Sequence, residues 1–265
     1  MLNDFVPVIN RIPIAEHPNR LTIVPLADAH YGSREFNETM WHETIKRIQD
    51  DHDCYCVLVG DLLDTTLKSS PGSVFEAVCS PREQKEWLYN ELTPIKDKVL
   101  GAVGGNHERR VTKETSFDIL YDVMLELGKE TLYRQNICFM QIKLTFPLNG
   151  TEKQRHEFSF AITHGAGGGQ YIGSSANRAQ TFGMAIEGID CLITGHTHKP
   201  VTFPVSKLVF DSGHVLQRQF VVAVASSFLD YGGYPIQKMI PPTAHTTTEI
   251  VLNYTTKKKS IRVLQ

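Results

Sequence analysis

The residues able to do chemistry are Asp28, His30, Asp61, Asn106, His164, His196 and His198, and what marks them is where they fall. Each closes a short apolar run. Leu26-Ala27 leads into Asp28-Ala29-His30, and Val57-Leu58-Val59 into Gly60-Asp61-Leu62-Leu63-Asp64. Gly101-Ala102-Val103 leads into Gly104-Gly105-Asn106-His107-Glu108. Phe160-Ala161-Ile162-Thr163 leads into His164-Gly165, and Leu192-Ile193-Thr194 into Gly195-His196-Thr197-His198. Such runs read as buried strands, and open α/β sheets bind ligands beyond the carboxyl ends of their strands. Five strands would then deliver Asp, Asn and His to one edge. These donors, without Cys, suit Mn, Fe, Zn, Mg or Co rather than a thiolate site. They are too many for one ion and suit two, which sit about 3.5–4 Å apart in two-metal sites and need a shared carboxylate. Two divalent ions carry four positive charges, and Asp28 and Asp61 offset only two. The surplus favours an anionic substrate, phosphate first.

The elements that must position these residues follow from pattern. Leu21–Ala27 reads as a strand, with Pro25 marking a defect or an edge because it lacks an N–H. Asn37 caps a helix through Ile48, and Ser80 caps one that starts at Pro81 and runs to about Leu92. Cys54–Val59 and Val99–Val103 read as strands. Thr115 is expected to open a helix bearing Ile119, Leu120, Val123, Met124 and Leu127, closed by Gly128. Ile137–Phe146 and Glu157–Thr163 form an expected hairpin around the loop Asn149–Gln154. A helix near Ser175–Ile186, a strand at Asp190–Ile193 and a strand-rich tail follow: Leu208–Phe210, Phe220–Ala225, Glu249–Asn253 and Ser260–Val263, punctuated by Pro241-Pro242. Strand–helix alternation in front and antiparallel strands behind argue for a layered α/β sandwich.

With these motifs in order, the sequence resembles the calcineurin-like metallophosphoesterase superfamily. The resemblance implies a four-layer α/β/β/α sandwich with two mixed β-sheets and a dinuclear metal site at the C-terminal strand ends. It implies that Asp28, His30 and His198 hold one ion, that Asn106, His164 and His196 hold the other, and that Asp61 bridges them. A bridging hydroxide would attack phosphorus in line. His107 would protonate the leaving oxygen or stabilise the phosphate, and Asp64 would orient His107 by accepting its other N–H. Mn2+ is the expected metal, ahead of Fe, Zn, Mg, Co or Ni.

Three functions fit. The first is a phosphodiesterase or nuclease acting on nucleic acid (DNA or RNA) or on nucleotides, whose repair-exonuclease branch has motifs similar to Asp28-Ala29-His30-Tyr31-Gly32 and Gly195 to Pro200. The second is a phosphomonoesterase related to serine/threonine protein phosphatases. That branch places Arg after the second Asp of its G-D-x-x-D motif, where this chain has Thr65. The third is a catalytically inactive binding module. Arg109 and Arg110 could clamp a phosphate oxygen. Gly167-Gly168-Gly169 reads as a loop that could approach phosphate, and Lys257-Lys258-Lys259 as a solvated turn that could touch nucleic acid. The segment Lys68–Ser80 is expected to shape the rim of the site. The other histidines, His17, His42, His52, His156, His214 and His245, receive no role.

Composition sets the frame. The chain has 265 residues, long enough for a single metallophosphoesterase domain over 1–265 without a separate capping domain. Its net charge of −2 and pI near 6.6 argue against a broad basic face for nucleic acid. No apolar run approaches the ~20 residues that span a bilayer, and Met1 to Arg11 does not read as a signal peptide. Five cysteines without a C-x-x-C pair read as free thiols of a cytoplasmic chain. Oligomeric state is not legible.

Overall fold

A computed structural model of the protein describes residues 4–14, 20–68, 70, 75–148, 151–169, 171–255 and 258–265. In chain order the elements are β1 (Val8–Pro13), β2 (Arg20–Leu26), α1 (Glu38–Asp50), β3 (Cys54–Leu58), α2 (Pro81–Leu92), β4 (Val99–Val103), α3 (Asn106–Thr115), α4 (Ile119–Glu126) and β5 (Tyr133–Arg134). There follow β6 (Ile137–Leu148), β7 (Thr151–Thr163), α5 (Ile172–Met184), β8 (Cys191–Thr194), β9 (Val201–Asp211), β10 (His214–Val224), α6 (Gly233–Gln237), β11 (Glu249–Tyr254) and β12 (Lys259–Leu264).

Two mixed six-stranded sheets form, in the orders β1-β6-β7-β8-β10-β9 and β12-β11-β2-β3-β4-β5. In the second, β2, β3 and β4 run parallel; in the first, β7 and β8 do. The parallel strands are apolar on both faces because both faces are covered. Ile23, Val57 and Val103 of one sheet share a core with Met140, Phe160 and Ile193 of the other, so the sheets face each other. On the outer face of the second sheet, Leu26 and Leu58 pack with Trp41, Ile48, Leu88 and Leu120 from α1, α2 and α4. On the outer face of the first, Leu192, Phe220 and Val222 pack with Ala179 of α5. The order helix, sheet, sheet, helix is thus carried by three apolar clusters, in which each large side chain fully withdrawn from water contributes roughly 1.5–3 kcal/mol.

Local chemistry sets the element ends. Asn37 accepts the Met40 N–H at 2.9 Å. Ser80 and Glu83 form a reciprocal capping box with Pro81 in the first turn. Pro25 lies in an interior strand rather than at an edge: pairing of β2 with β11 stops at Ile23, so the missing N–H meets no ladder on that side. Thr115 does not open a helix. It ends α3, Ser116 takes a left-handed conformation, and the Asp118 carboxylate caps α4 through Tyr121 N–H at 3.1 Å. Gly128 follows the end of that helix at φ +70°. The hairpin of β6 and β7 is tighter than expected, with β7 starting at Thr151; residues 149 and 150 lie outside the described set. Helix α5 begins at Ile172, ahead of Ser175, and β9 and β10 pair over their whole lengths as a long hairpin. No helix among the described residues is long and apolar enough to cross a membrane.

Candidate metal centre

The carboxyl ends of β2, β3, β4, β7 and β8 converge, and the loops beyond them continue the pairing. Asp28 N–H donates to Gly60 O (3.1 Å), His30 N–H to Asp61 O (3.0 Å) and Gly195 N–H to His164 O (2.9 Å). The chain must turn sharply after each strand. Asp28, His30, Asp61, His196 and His198 all adopt positive φ, from 48° to 70°. Non-glycine residues held there cost of order 1–3 kcal/mol each and persist where surrounding structure over-determines them. Gly105 shows how tight the fit is: a Cβ there would lie 2.1 Å from both Asp61 N and Asp61 Oδ1.

All seven residues expected from the sequence meet in one place. His30 Nε2 and His198 Nε2 lie 3.1 Å apart, and they are 3.9 and 3.4 Å from Asp28 Oδ1. His164 Nε2 is 3.0 Å from Asn106 Oδ1, 3.1 Å from Asp61 Oδ2 and 3.2 Å from His196 Nδ1. Asp61 Oδ2 also lies 4.0 Å from His30 Nε2, which puts it between the two groups. Asp28, His30 and His198 could hold one ion, and Asp61, His164 and His196 another. The donors fit cations. Asp28 Oδ1 is buried with no hydrogen-bond partner, an orphaned charge-bearing oxygen. His164 Nδ1 lies 2.8 Å from Val59 O, so its Nδ1–H is donated there and Nε2 is the ring nitrogen that faces the cluster.

Electrostatics follow the geometry. Burial alone would raise the Asp61 carboxyl, but His164, His107 and His30 hold it well below the usual carboxylate range. Burial also opposes a charge on His164, yet Asp61 beside it pushes the imidazole up to about 9. His30 is driven well below the ordinary histidine value by burial and by the neighbouring His107. Burial lowers His196 as well.

His107 stands next to the seven. Its backbone N–H donates to Asp61 Oδ1 at 2.7 Å, and its Nε2 lies 3.9 Å from Asp61 Oδ2. The nearest acceptor for Nδ1–H is the Asp64 backbone carbonyl at 2.8 Å; the carboxylate Oδ1 expected in that role is 3.3 Å away. Thr66 Oγ1 donates to the other carboxylate oxygen of Asp64. Burial works against a charged His107, but Asp64 and Asp61 outweigh it and raise its pKa. His30, Asp64 and His107 also form a third cluster with metal-binding geometry, sharing His30 with the first.

The two arginines part company. Arg109 donates to Gly104 O (3.1 Å) and Gln135 O (3.2 Å), which ties its loop to the turn before β6; neither arginine is among the residues around the cavity above the cluster. Arg110 lies against the His107 ring, 3.0 Å from Nε2. Thr65 is buried and donates to His107 O, so no cation stands in its place.

Glu108 was present in the sequence motif without a role, and the structure gives it one. It is buried, and its carboxylate accepts four backbone N–H groups: Leu62 (2.7 Å) and Leu63 (3.1 Å) on Oε1, Asp61 (2.9 Å) and Gly105 (3.0 Å) on Oε2. Burial pushes its carboxyl up, and the donors work the other way. One side chain thereby fastens the loop carrying Asp61 to the turn carrying Asn106 and His107. A glutamate three residues after a helix-opening turn is a capping-box signal; its reach across to a second loop is not local information.

Above the cluster lies a cavity of about 380 Å³. Asp61, Asn106, His107, His196 and His198 line it, with Gly167 to Gly169 and Lys199 on its wall. The lining also includes Ser33 and Glu35 and, from the tail, Leu229 to Tyr231, Pro235, Ile240, Pro241 and His245, a tail histidine that could have lain near the site but received no role from the sequence. None of the described residues of Lys68–Ser80, the expected rim, lines it; residues 69 and 71–74 lie outside the described set. His214 sits at the tip of the β9–β10 hairpin instead. Lys257 is outside the described set, and Lys259 is ion-paired with Asp190 at 2.7 Å.

No curated protein matches the sequence. A family model described as calcineurin-like phosphoesterase matches residues 21–200, well over half of the chain and all seven clustered residues. With that match and two mixed sheets delivering the cluster, the chain belongs to the calcineurin-like phosphoesterase family, whose chemistry is metal-dependent hydrolysis of phosphoesters.

Proposed function

We propose that the chain is a phosphodiesterase acting on a nucleotide-sized substrate, with Asp28, His30 and His198 holding one divalent ion, Asn106, His164 and His196 holding a second, and Asp61 shared. Mn2+ is the expected metal. Bound, the two ions supply positive charge to the phosphoryl oxygens and lower the pKa of water so that it is a nucleophile near neutral pH. The chain's own residues do the rest. Asp61 and Asp28 fix the donor set, and His107, with its pKa raised, carries a proton toward the leaving oxygen while the Asp64 carbonyl holds its Nδ1–H. The tail wall excludes water and bounds the leaving group.

The observation that carries the reading is the cavity itself. It ends on Asp61, Asn106 and His107, and about 380 Å³ suits a nucleotide better than a long strand. Its far wall is apolar and bears Asp230, which disfavours a continuous phosphate track. The phosphomonoesterase alternative lacks support at Thr65, a neutral residue whose hydroxyl is donated to His107 O.

The test is turnover by Mn2+-loaded protein of bis(p-nitrophenyl) phosphate against p-nitrophenyl phosphate. Faster diester cleavage is expected. Preference for the monoester would favour the phosphatase alternative. No turnover of either with Mn, Mg, Fe or Zn would favour the inactive module.

A further inference from the structure

The cavity has two unlike sides. Leu229, Tyr231, Ile240 and Pro241 form an apolar side that also bears Glu35 and Asp230. Elsewhere its lining includes Gly167, Gly168, Gly169 and Lys199. Lys199 is only 8% exposed. Its ammonium donates to Gly169 O at 2.5 Å, and among the described residues no carboxylate lies within ion-pair distance of it. An ammonium has three donors, and among the described residues one is used. Burying a charge without an opposite charge is costly, so a residue whose task was only to tie the loop would need no charge.

The loop beside it is built close. Gly167 has φ +85°, and a Cβ there would run into the Arg178 guanidinium; a Cβ at Gly169 would meet Ser174 Oγ at 2.1 Å. The N–H groups of Gly167, Gly168 and Gly169 have no partner among the described residues. All three glycines line the cavity with Lys199, and free backbone N–H groups on a cavity wall that also carries an ammonium can bind an anion. The cavity's carboxylates Glu35 and Asp230 line it elsewhere and do not attract one.

We propose that Lys199 and the Gly167–Gly169 loop form a subsite for a second phosphate group of the substrate, beside the phosphoester held at the cluster. The proposal rests on the phosphoesterase reading and narrows it to substrates carrying two phosphates. The second can be joined to the first as an anhydride, as in a nucleoside diphosphate, or stand one nucleotide away, as in a 5′-phosphorylated dinucleotide.

Calorimetry on the Mn2+-saturated full chain tests it with adenosine 5′-monophosphate, adenosine 5′-diphosphate, an unphosphorylated dinucleotide and its 5′-phosphorylated form. In wild type the two-phosphate member of at least one pair binds more tightly. Lys199→Met is expected to shrink that preference about tenfold or more, the value of one hydrogen bond to a charged group, and Lys199→Arg to keep most of it. The pair that loses its preference identifies the source. Gly168→Asp is a second variant: open space surrounds its Cβ, so it adds a repelling charge to the wall without a clash, and it should also erase the preference. Equal weakening of both members of each pair would make Lys199 a loop tie and overturn the proposal, as would preferences unchanged in Lys199→Met and Gly168→Asp. Diester turnover with no such preference sinks the subsite alone; preference without turnover of any phosphoester sinks the hydrolase reading alone.

Discussion

Glu108→Gln is the most informative single change outside the metal cluster. Glutamine keeps the shape of glutamate but replaces one carboxylate oxygen with NH2. Each oxygen of Glu108 takes two backbone N–H groups, so whichever way the amide turns, two N–H donors face another donor. Hydrogen bonds to a charged group contribute about 1.5–3 kcal/mol each, so losing two costs about 3–6 kcal/mol. That approaches the whole stability of many domains, about 5–15 kcal/mol. The loops carrying Asp61 and His107 would therefore separate before the sheets do. For a chain of this size, with roughly 2–4 °C of Tm per kcal/mol, metal-free unfolding is expected about 6–24 °C lower. Mn2+ affinity should fall about 10–100-fold, as for other residues that hold ligands in place. Differential scanning calorimetry and Mn2+ titration read both quantities. A Tm within 1–2 °C of wild type together with unchanged Mn2+ affinity would refute the role assigned to Glu108.

Three further outcomes follow from the site and the core. His107→Ala should keep its metal and lose about 10²–10⁴-fold in rate; metal loss would instead make His107 a ligand through the His30–Asp64–His107 cluster. Because the raised His107 pKa keeps it protonated past the ordinary histidine range, wild-type activity should fall as pH rises through that pKa, and Asp64→Asn should move this limb to lower pH in a pH–rate profile. Among the cysteines, burial pushes Cys54 up to about 11 and Cys138 up to about 12, and raises Cys56 and Cys191 further, while Cys79 is only half-buried. Iodoacetamide at pH 8 should therefore label Cys79 first and the other four only on unfolding, as mass spectrometry of digests would show.

The clustered residues were legible because each follows its strand directly, so that an apolar run and a polar stop announce the position together. Partners that depend on two distant loops were not. Glu108 acts across 45 or more positions on the Asp61 loop. Helix α3 went unread because its only buried residues are Glu108 and Val111, which give no apolar stripe. Its polar end at Thr115 then looked like a beginning, although Asp118 makes the cap. The tail wall is short segments around Pro235 and Pro241 without regular period, and only the fold brings them over the cavity. Pro25 misled for a related reason: its tolerance depends on where a strand more than two hundred residues away stops pairing.

The central claim is that seven residues from five strand ends hold two ions around Asp61. Anomalous scattering from crystals grown with Mn2+ measures this directly. The account predicts two peaks about 3.5–4 Å apart, one beside Asp28, His30 and His198, the other beside Asn106, His164 and His196, with Asp61 between them. A single peak, or one centred on His30, Asp64 and His107, would contradict it.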